Sequence, residues 1–121
     1  MKPADPGRDA ESAACRFLLS QGFRLLTRNF RSRHGEIDLI MDDAGQLVFV
    51  EVRYRRGTAF GTGAESVDRR KQSRITACAQ HYLQQHPEAA QLPCRFDVVA
   101  LTGTRENSDI QWIRDAFTAL G

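Results

Sequence analysis

The segment GEIDLIMDDAGQLVFVEVRYRR, residues 35 to 56, places three acids and an arginine inside two apolar runs: Glu36, Asp38, Glu51 and Arg53. Strands deplete acids, and a charge buried in one needs a partner. DAGQ, 43 to 46, is a turn signal between the runs, and a hairpin closing on Ala44-Gly45 fixes the register. Paired positions then sum to 89. Ile37 faces Val52, Leu39 faces Val50 and Met41 faces Val48, all on one apolar face. Because side chains alternate along a strand, the other face sets Asp38 opposite Glu51 and Glu36 opposite Arg53. Directly opposed Cβ atoms lie about 4.5–5.5 Å apart. Two carboxylates that close need a positive charge between them, or a proton on one. Two chemistries fit. The first is a solvent-facing sheet in which Arg53 neutralises Glu36 and the Asp38–Glu51 pair is merely tolerated. The second is a divalent cation held by Asp38 and Glu51, since Mg²⁺ takes carboxylates, waters and substrate phosphates as ligands.

The elements that must position these acids can be read from periodicity. Ala10, Ala13, Ala14, Phe17, Leu18 and Gln21 share one stripe, which predicts a helix over 9–21 stopped by Gly22. Glu11 sits at the border of that stripe. FRLLTRNF, 23 to 30, reads as a strand, and RSRHG as a basic loop. After the hairpin, RGTAFGTGAE, 56 to 65, is glycine-rich and loop-like. A second helix is predicted over 66–86, with Val67, Ile75, Cys78, Tyr82 and Leu83 inward and Pro87 marking its end. Lys71 lies four residues from both Val67 and Ile75, so it points along the inward face, whereas Arg69 and Arg70 point away. CRFDVVALTG, 94 to 103, reads as a buried strand, and IQWIRDAF as a short strand or a turn of helix. The order is helix, three strands, helix, then one or two strands. It predicts an α/β domain around a mixed sheet over residues 9–121, after a loose tail at 1–8.

The chain has 121 residues, 41% hydrophobic and 26% charged, which suits one soluble globular domain and excludes disordered and collagen-like classes. No apolar run approaches the ~18 residues that cross a membrane. MKPADPGRDA carries no apolar signal core, which points to the cytoplasm. Cys15, Cys78 and Cys94 lack metal spacing and read as buried reduced thiols. A net charge of +2 identifies no partner. The distribution says more: from Arg53 to Arg74 seven cations stand against two acids, and Arg24, Arg28, Arg31 and Arg33 form a second cluster. Fifteen of the 17 basic residues are arginine, whose planar fork suits phosphate oxygens. A solvated surface and a nucleic-acid surface both fit this pattern. In the second case Arg31, Arg33, Arg55, Arg56, Arg69, Arg70 and Arg74 are the contacts. His34 reads as a surface residue, Tyr54 and Phe60 as packing aromatics, and Asp97 as half of a structural ion pair.

GEIDLI, VFVEVRYRR, SVDRRKQ and CRFDVVA, in this order between Gly7 and Phe117, closely resemble the YraN family of uncharacterised bacterial proteins. That family in turn is similar to the PD-(D/E)XK, restriction-endonuclease-like superfamily and to archaeal Holliday-junction resolvases. The resemblance implies a mixed sheet flanked by helices and metal-dependent phosphodiester hydrolysis with Mg²⁺ or Mn²⁺, branched DNA included. It carries the superfamily's helix acid onto Glu11, its strand aspartate onto Asp38 and its acid–X–lysine triplet onto Glu51-Val52-Arg53. Metal ligands are then Asp38, Glu51 and Glu11, and the catalytic set is Asp38, Glu51, Arg53 and Lys71. The departure is Arg53, where the superfamily has lysine. Arginine does not give up its proton, so it can stabilise charge but cannot be a general base. Lys71 is the candidate for the missing amine. The implied partner is nucleic acid, with DNA first, and a homodimer follows by analogy with enzymes that cut two strands. A non-catalytic DNA- or RNA-binding module, or a protein-interaction subunit keeping a nuclease fold, is the alternative that Arg53 leaves open.

Overall fold

The computed structural model describes residues 6–55, 67–103 and 108–118. The loop read over 56–65, with Arg56 and Phe60, and residues 1–5 of the tail lie outside these residues, whereas Pro6–Arg8, read as tail, form the start of the first helix. The elements are α1 (Pro6–Ser20), β1 (Arg24–Ser32), β2 (Gly35–Asp43), β3 (Gln46–Arg55), α2 (Arg69–Gln85), a 3-10 turn (Ala89–Gln91), β4 (Cys94–Gly103) and β5 (Ser108–Phe117). The five strands form one sheet in sequence order. β3 and β4 run parallel, with α2 as their crossover, and every other neighbouring pair is antiparallel. This is the mixed α/β sheet flanked by helices that the sequence predicts.

The two helices cover opposite faces. α1 lays Ala10, Ala14, Cys15 and Leu18 on Leu39, Met41, Val48, Val50, Val99 and Leu101. α2 lays Ile75, Cys78, Ala79 and Tyr82 on Ile37, Ile40, Leu47, Phe49, Phe96 and Val98. Double coverage explains why β2 to β4 are nearly continuous in apolar residues instead of alternating with polar ones. Each large side chain so buried contributes roughly 1.5–3 kcal/mol relative to exposure. α1 ends where Gly22 takes φ +93°, and the Phe23 N–H returns to the Leu18 carbonyl at 3.1 Å.

The central hairpin has the expected register. Leu39 pairs with Val50 and Met41 with Val48, around a turn in which Ala44 and Gly45 both have positive φ. The Asp42 carboxylate accepts the Gly45 N–H at 2.9 Å. One expectation fails. Ile37 packs with the α2 cluster, while Leu39 and Met41 pack with the α1 cluster. Strict alternation therefore breaks across Asp38. Phe30, the β1 partner of Ile37, also packs on the α2 side, and Asn29 between Arg28 and Phe30 has φ +53°. A left-handed residue re-aims the side chains that follow, as in a bulge, and the sequence pattern carries no sign of it.

Other differences are local. RSRHG shortens to a two-residue turn, because β1 runs through Ser32 and β2 restarts at Gly35. IQWIRDAF is strand throughout, within the ten-residue β5. Cys15 and Cys78 are buried, but Cys94, first residue of β4 at the sheet's end, is exposed. Asp97 is fully buried and takes the structural role expected of it. Arg95 donates to both its oxygens at 2.9 and 3.3 Å, Trp112 Nε1 donates at 2.9 Å and the Asp115 N–H at 3.0 Å. Arg95 also donates to Asp43 and Gln46. The network ties β4 to the hairpin turn and to β5, and satisfies a charge that would otherwise be costly.

Candidate functional site

Regular pairing of β2 with β3 runs from Asp43–Gln46 to Leu39–Val50. Beyond it the Asp38 carboxylate takes the Val52 N–H at 2.8 Å. Asp38 and Glu51 are therefore not a directly opposed pair on one face, as the hairpin pattern predicts. A side chain has entered the ladder, yet the charge of Glu51 still bears on Asp38 more strongly than that of Glu11 or Glu36.

On one side Asp38 meets Glu11 from α1 and Glu36 from its own strand. One carboxylate oxygen from each lies within 4.8 Å of the others, and this is the metal-compatible cluster among the described residues. Asp38 and Glu11 are two of the three ligands the sequence predicts, with Glu51 the third, and the hairpin pattern pairs Glu36 with Arg53. Instead Glu36 stands in the cluster and ion-pairs with Arg31 at 3.2 Å. Its i, i+2 spacing from Asp38 on a strand was a signal for this, masked by assigning it the arginine opposite.

On the other side Glu51, only 7% exposed at its side chain, lies 2.8 Å from Lys71 Nζ and 3.6 Å from Arg53 Nη1. The amine expected from the helical wheel thus reaches the hairpin acid. α2 makes this possible because it starts two residues before Lys71 and packs over the hairpin face.

These charges act on Asp38. Burial first, and the charge of Glu51 second, push its carboxyl from 3.8 up to about 8. Glu11 and Glu36 add to the rise, while the Val52 N–H opposes it by favouring the ionised form. A carboxyl of this kind is a proton holder without a cation and a ligand with one. Three hard oxygen donors at this spacing could hold a metal ion.

Of the predicted phosphate-contact arginines, Arg31, Arg33, Arg69, Arg70 and Arg74 lie at the β1–β2 turn and on the first turns of α2, the elements that flank the site. Arg31 and Arg33 are exposed beside the β1–β2 turn, and Arg33 Nε points to His34 Nε2 at 3.5 Å. Arg69, Arg70 and Arg74 are exposed on the first turns of α2. Gly35 lies beside this helix and has φ +142°, a backbone conformation L side chains rarely adopt; a Cβ added there would make only ordinary contact, 3.9 Å from Arg74 Cβ. Arg55 closes β3. The Tyr54 hydroxyl donates to the Gly103 carbonyl at 3.0 Å, a packing role. No helix among the described residues is long and apolar enough to cross a membrane.

Fold and site together define a mixed-sheet α/β protein whose central hairpin opens onto a carboxylate cluster and a lysine–glutamate contact. The model of the family described as "Uncharacterised protein family UPF0102" matches residues 10–101, and the chain belongs to this family, the YraN family of the sequence comparison. The UPF0102 protein of Nitrosococcus oceani is 52% identical over 120 residues, covering 97% of each chain. That of Stutzerimonas stutzeri is 53% identical over 111 residues, covering 92% of each. Among solved structures, SfsA of Pyrococcus furiosus in complex with Ca²⁺ aligns over 90% of this chain and 62% of its own, at 13% identity and a TM-score of 0.36.

Proposed function

We propose that this protein is a metal-dependent nuclease of restriction-endonuclease-like type, acting on DNA. The observation that carries the reading is the placing of Lys71 Nζ 2.8 Å from Glu51, beside a three-carboxylate cluster at the open end of the hairpin. Asp38, Glu11 and Glu36 would hold Mg²⁺ or Mn²⁺, with Glu51 next to them. Bound there, the ion supplies Lewis acidity toward a scissile phosphate.

The chain's own residues do the rest. Lys71 offsets the negative charge of Glu51 and orients an attacking water. Arg53 stabilises charge that develops on phosphate in the transition state; it takes no proton. Arg31, Arg33, Arg69, Arg70 and Arg74 grip the backbone and set its register.

The test is cleavage of a panel of branched, nicked, single-stranded and linear DNA with Mg²⁺ or Mn²⁺. On any substrate cut, Lys71→Met should lower the rate by at least about tenfold with little loss of binding, as for an interaction made mainly in the transition state. Arg53→Lys should preserve or raise the rate. Absence of cutting across the panel, with binding that still weakens steeply as salt rises, would replace this reading with the non-catalytic binding module. In either case Arg33→Ala and Arg74→Ala should each flatten the salt dependence by about one phosphate contact.

A further inference from the structure

Lys71 is the third residue of α2, and first turns of helices fray unless their free N–H groups are satisfied. Its ammonium must nevertheless reach a nearly buried carboxylate on another element. Three bonds secure the start of this helix. Asp68, extended at φ −72° and ψ 174°, accepts the Lys71 N–H on Oδ1 at 2.8 Å. The Asp68 carbonyl accepts the Gln72 N–H at 2.9 Å. The Gln72 amide then reaches back, Nε2 donating to the Val67 carbonyl at 2.9 Å. Val67 is 3% exposed and packs in the core between α2 and the sheet.

We propose that Asp68 and Gln72 are positioning residues for Lys71: the carboxylate fixes its backbone and the amide bolts that cap to the buried Val67, so that the ammonium is delivered to Glu51. The bonds form one chain from core to site. Val67 anchors, Gln72 and Asp68 hold the turn, and Lys71 extends from it. Asp68 carries the register directly, since its acceptor is the N–H of the lysine itself. Neither residue touches the carboxylate cluster or a substrate phosphate in this scheme. The inference rests on the reading of Lys71 as part of the nuclease site, but its test needs neither metal nor nucleic acid.

The readout is the reactivity of the Lys71 amine. The chain has two lysines, Lys2 and Lys71, so acetylation of each is resolved by peptide mass. The reference is the Lys71 rate in the urea-unfolded chain. Held against Glu51 and two-thirds covered, Lys71 in the folded protein should react about tenfold more slowly than that. Asp68→Ala should raise the folded rate about fivefold, the population change that loss of an N-cap brings. Asp68→Asn, which keeps an oxygen acceptor, should restore the slow rate. Gln72→Met, with the cap intact, should raise it by a smaller factor. The buried Cys78 thiol, further along the same helix, is labelled in parallel and should not change.

An unchanged Lys71 rate in Asp68→Ala and Gln72→Met would overturn the proposal. So would a rise shared equally by Cys78, because that is general loosening of the helix. If Asp68→Ala does not fold, Gln72→Met and Asp68→Asn decide it alone. Protein that behaves as expected here yet neither binds Mn²⁺ nor cuts DNA would sink the nuclease reading and leave this one standing.

Discussion

Mn²⁺ affinity is expected to rise about fiftyfold between pH 6 and pH 8 and to level off above. The cause is the Asp38 carboxyl, held near 8 by burial and by Glu51. A ligand carboxyl must lose its proton before it binds a metal, so below its pKa each pH unit costs about tenfold in affinity. At pH 7 binding should release close to one proton. Calorimetry in two buffers of different ionisation enthalpy reads both affinity and proton count. Asp38→Asn should abolish tight binding together with the proton release. Glu36→Gln should weaken binding as strongly as Glu11→Gln, since the two share the cluster. An affinity that is flat from pH 6 to pH 8 would remove Asp38 from the ligand set, whatever the substrate tests give.

Glu36 shows where a sequence reading stops. Its strand, its spacing from Asp38 and the hairpin register were all legible, because a two-residue turn at Ala44-Gly45 leaves one register that buries Leu39, Met41, Val48 and Val50. The side from which each acid is approached was not. That depends on the break in alternation across Asp38, on a left-handed Asn29 one strand away, and on the Val52 N–H turning to a side chain. None of these leaves a trace in hydrophobic period. The lysine was legible for the opposite reason. Lys71 sits in a helix with an unbroken stripe, and a helical wheel needs no knowledge of neighbouring strands to say which way a residue faces. The Arg95–Asp97 network was half legible. An acid inside an apolar strand demands a partner, but a partner two residues away, joined by Trp112 from another strand, follows only from the assembled sheet. The resemblance to a nuclease superfamily sets Glu11 and Glu51 with Asp38, and the geometry adds Glu36 to the cluster and Lys71 to Glu51.

That division predicts stability effects of opposite sign at the two hairpin acids in metal-free protein. Asp38 has a folded-state pKa of about 8 against 3.8 in its ordinary state. The fold therefore holds its proton more tightly than the unfolded chain does. The resulting stabilisation is complete below about pH 4 and is lost as pH rises to about 8, at up to ~1.4 kcal/mol per unit. Asparagine keeps an acceptor for the Val52 N–H and never ionises. Asp38→Asn should then raise stability at pH 8 by on the order of 2 kcal/mol, with the gain shrinking toward pH 4. Glu51 is the reverse case. It lies 2.8 Å from Lys71 and 3.6 Å from Arg53, and glutamine in its place leaves two cations facing each other without their counter-charge. Glu51→Gln should cost roughly 1–3 kcal/mol. Lys71→Met should also destabilise, and the Glu51→Gln/Lys71→Met double variant should lose less than the sum of the singles, which is the signature of a direct pair. Urea unfolding of chelator-treated protein at pH 5, 7 and 8 gives all of these numbers. If Asp38→Asn and Glu51→Gln both destabilise at pH 8, the carboxylates are an ordinary charged surface network and no proton is stored at Asp38. If both stabilise, Lys71 does not hold Glu51 in solution, and the catalytic part assigned to that lysine falls with it.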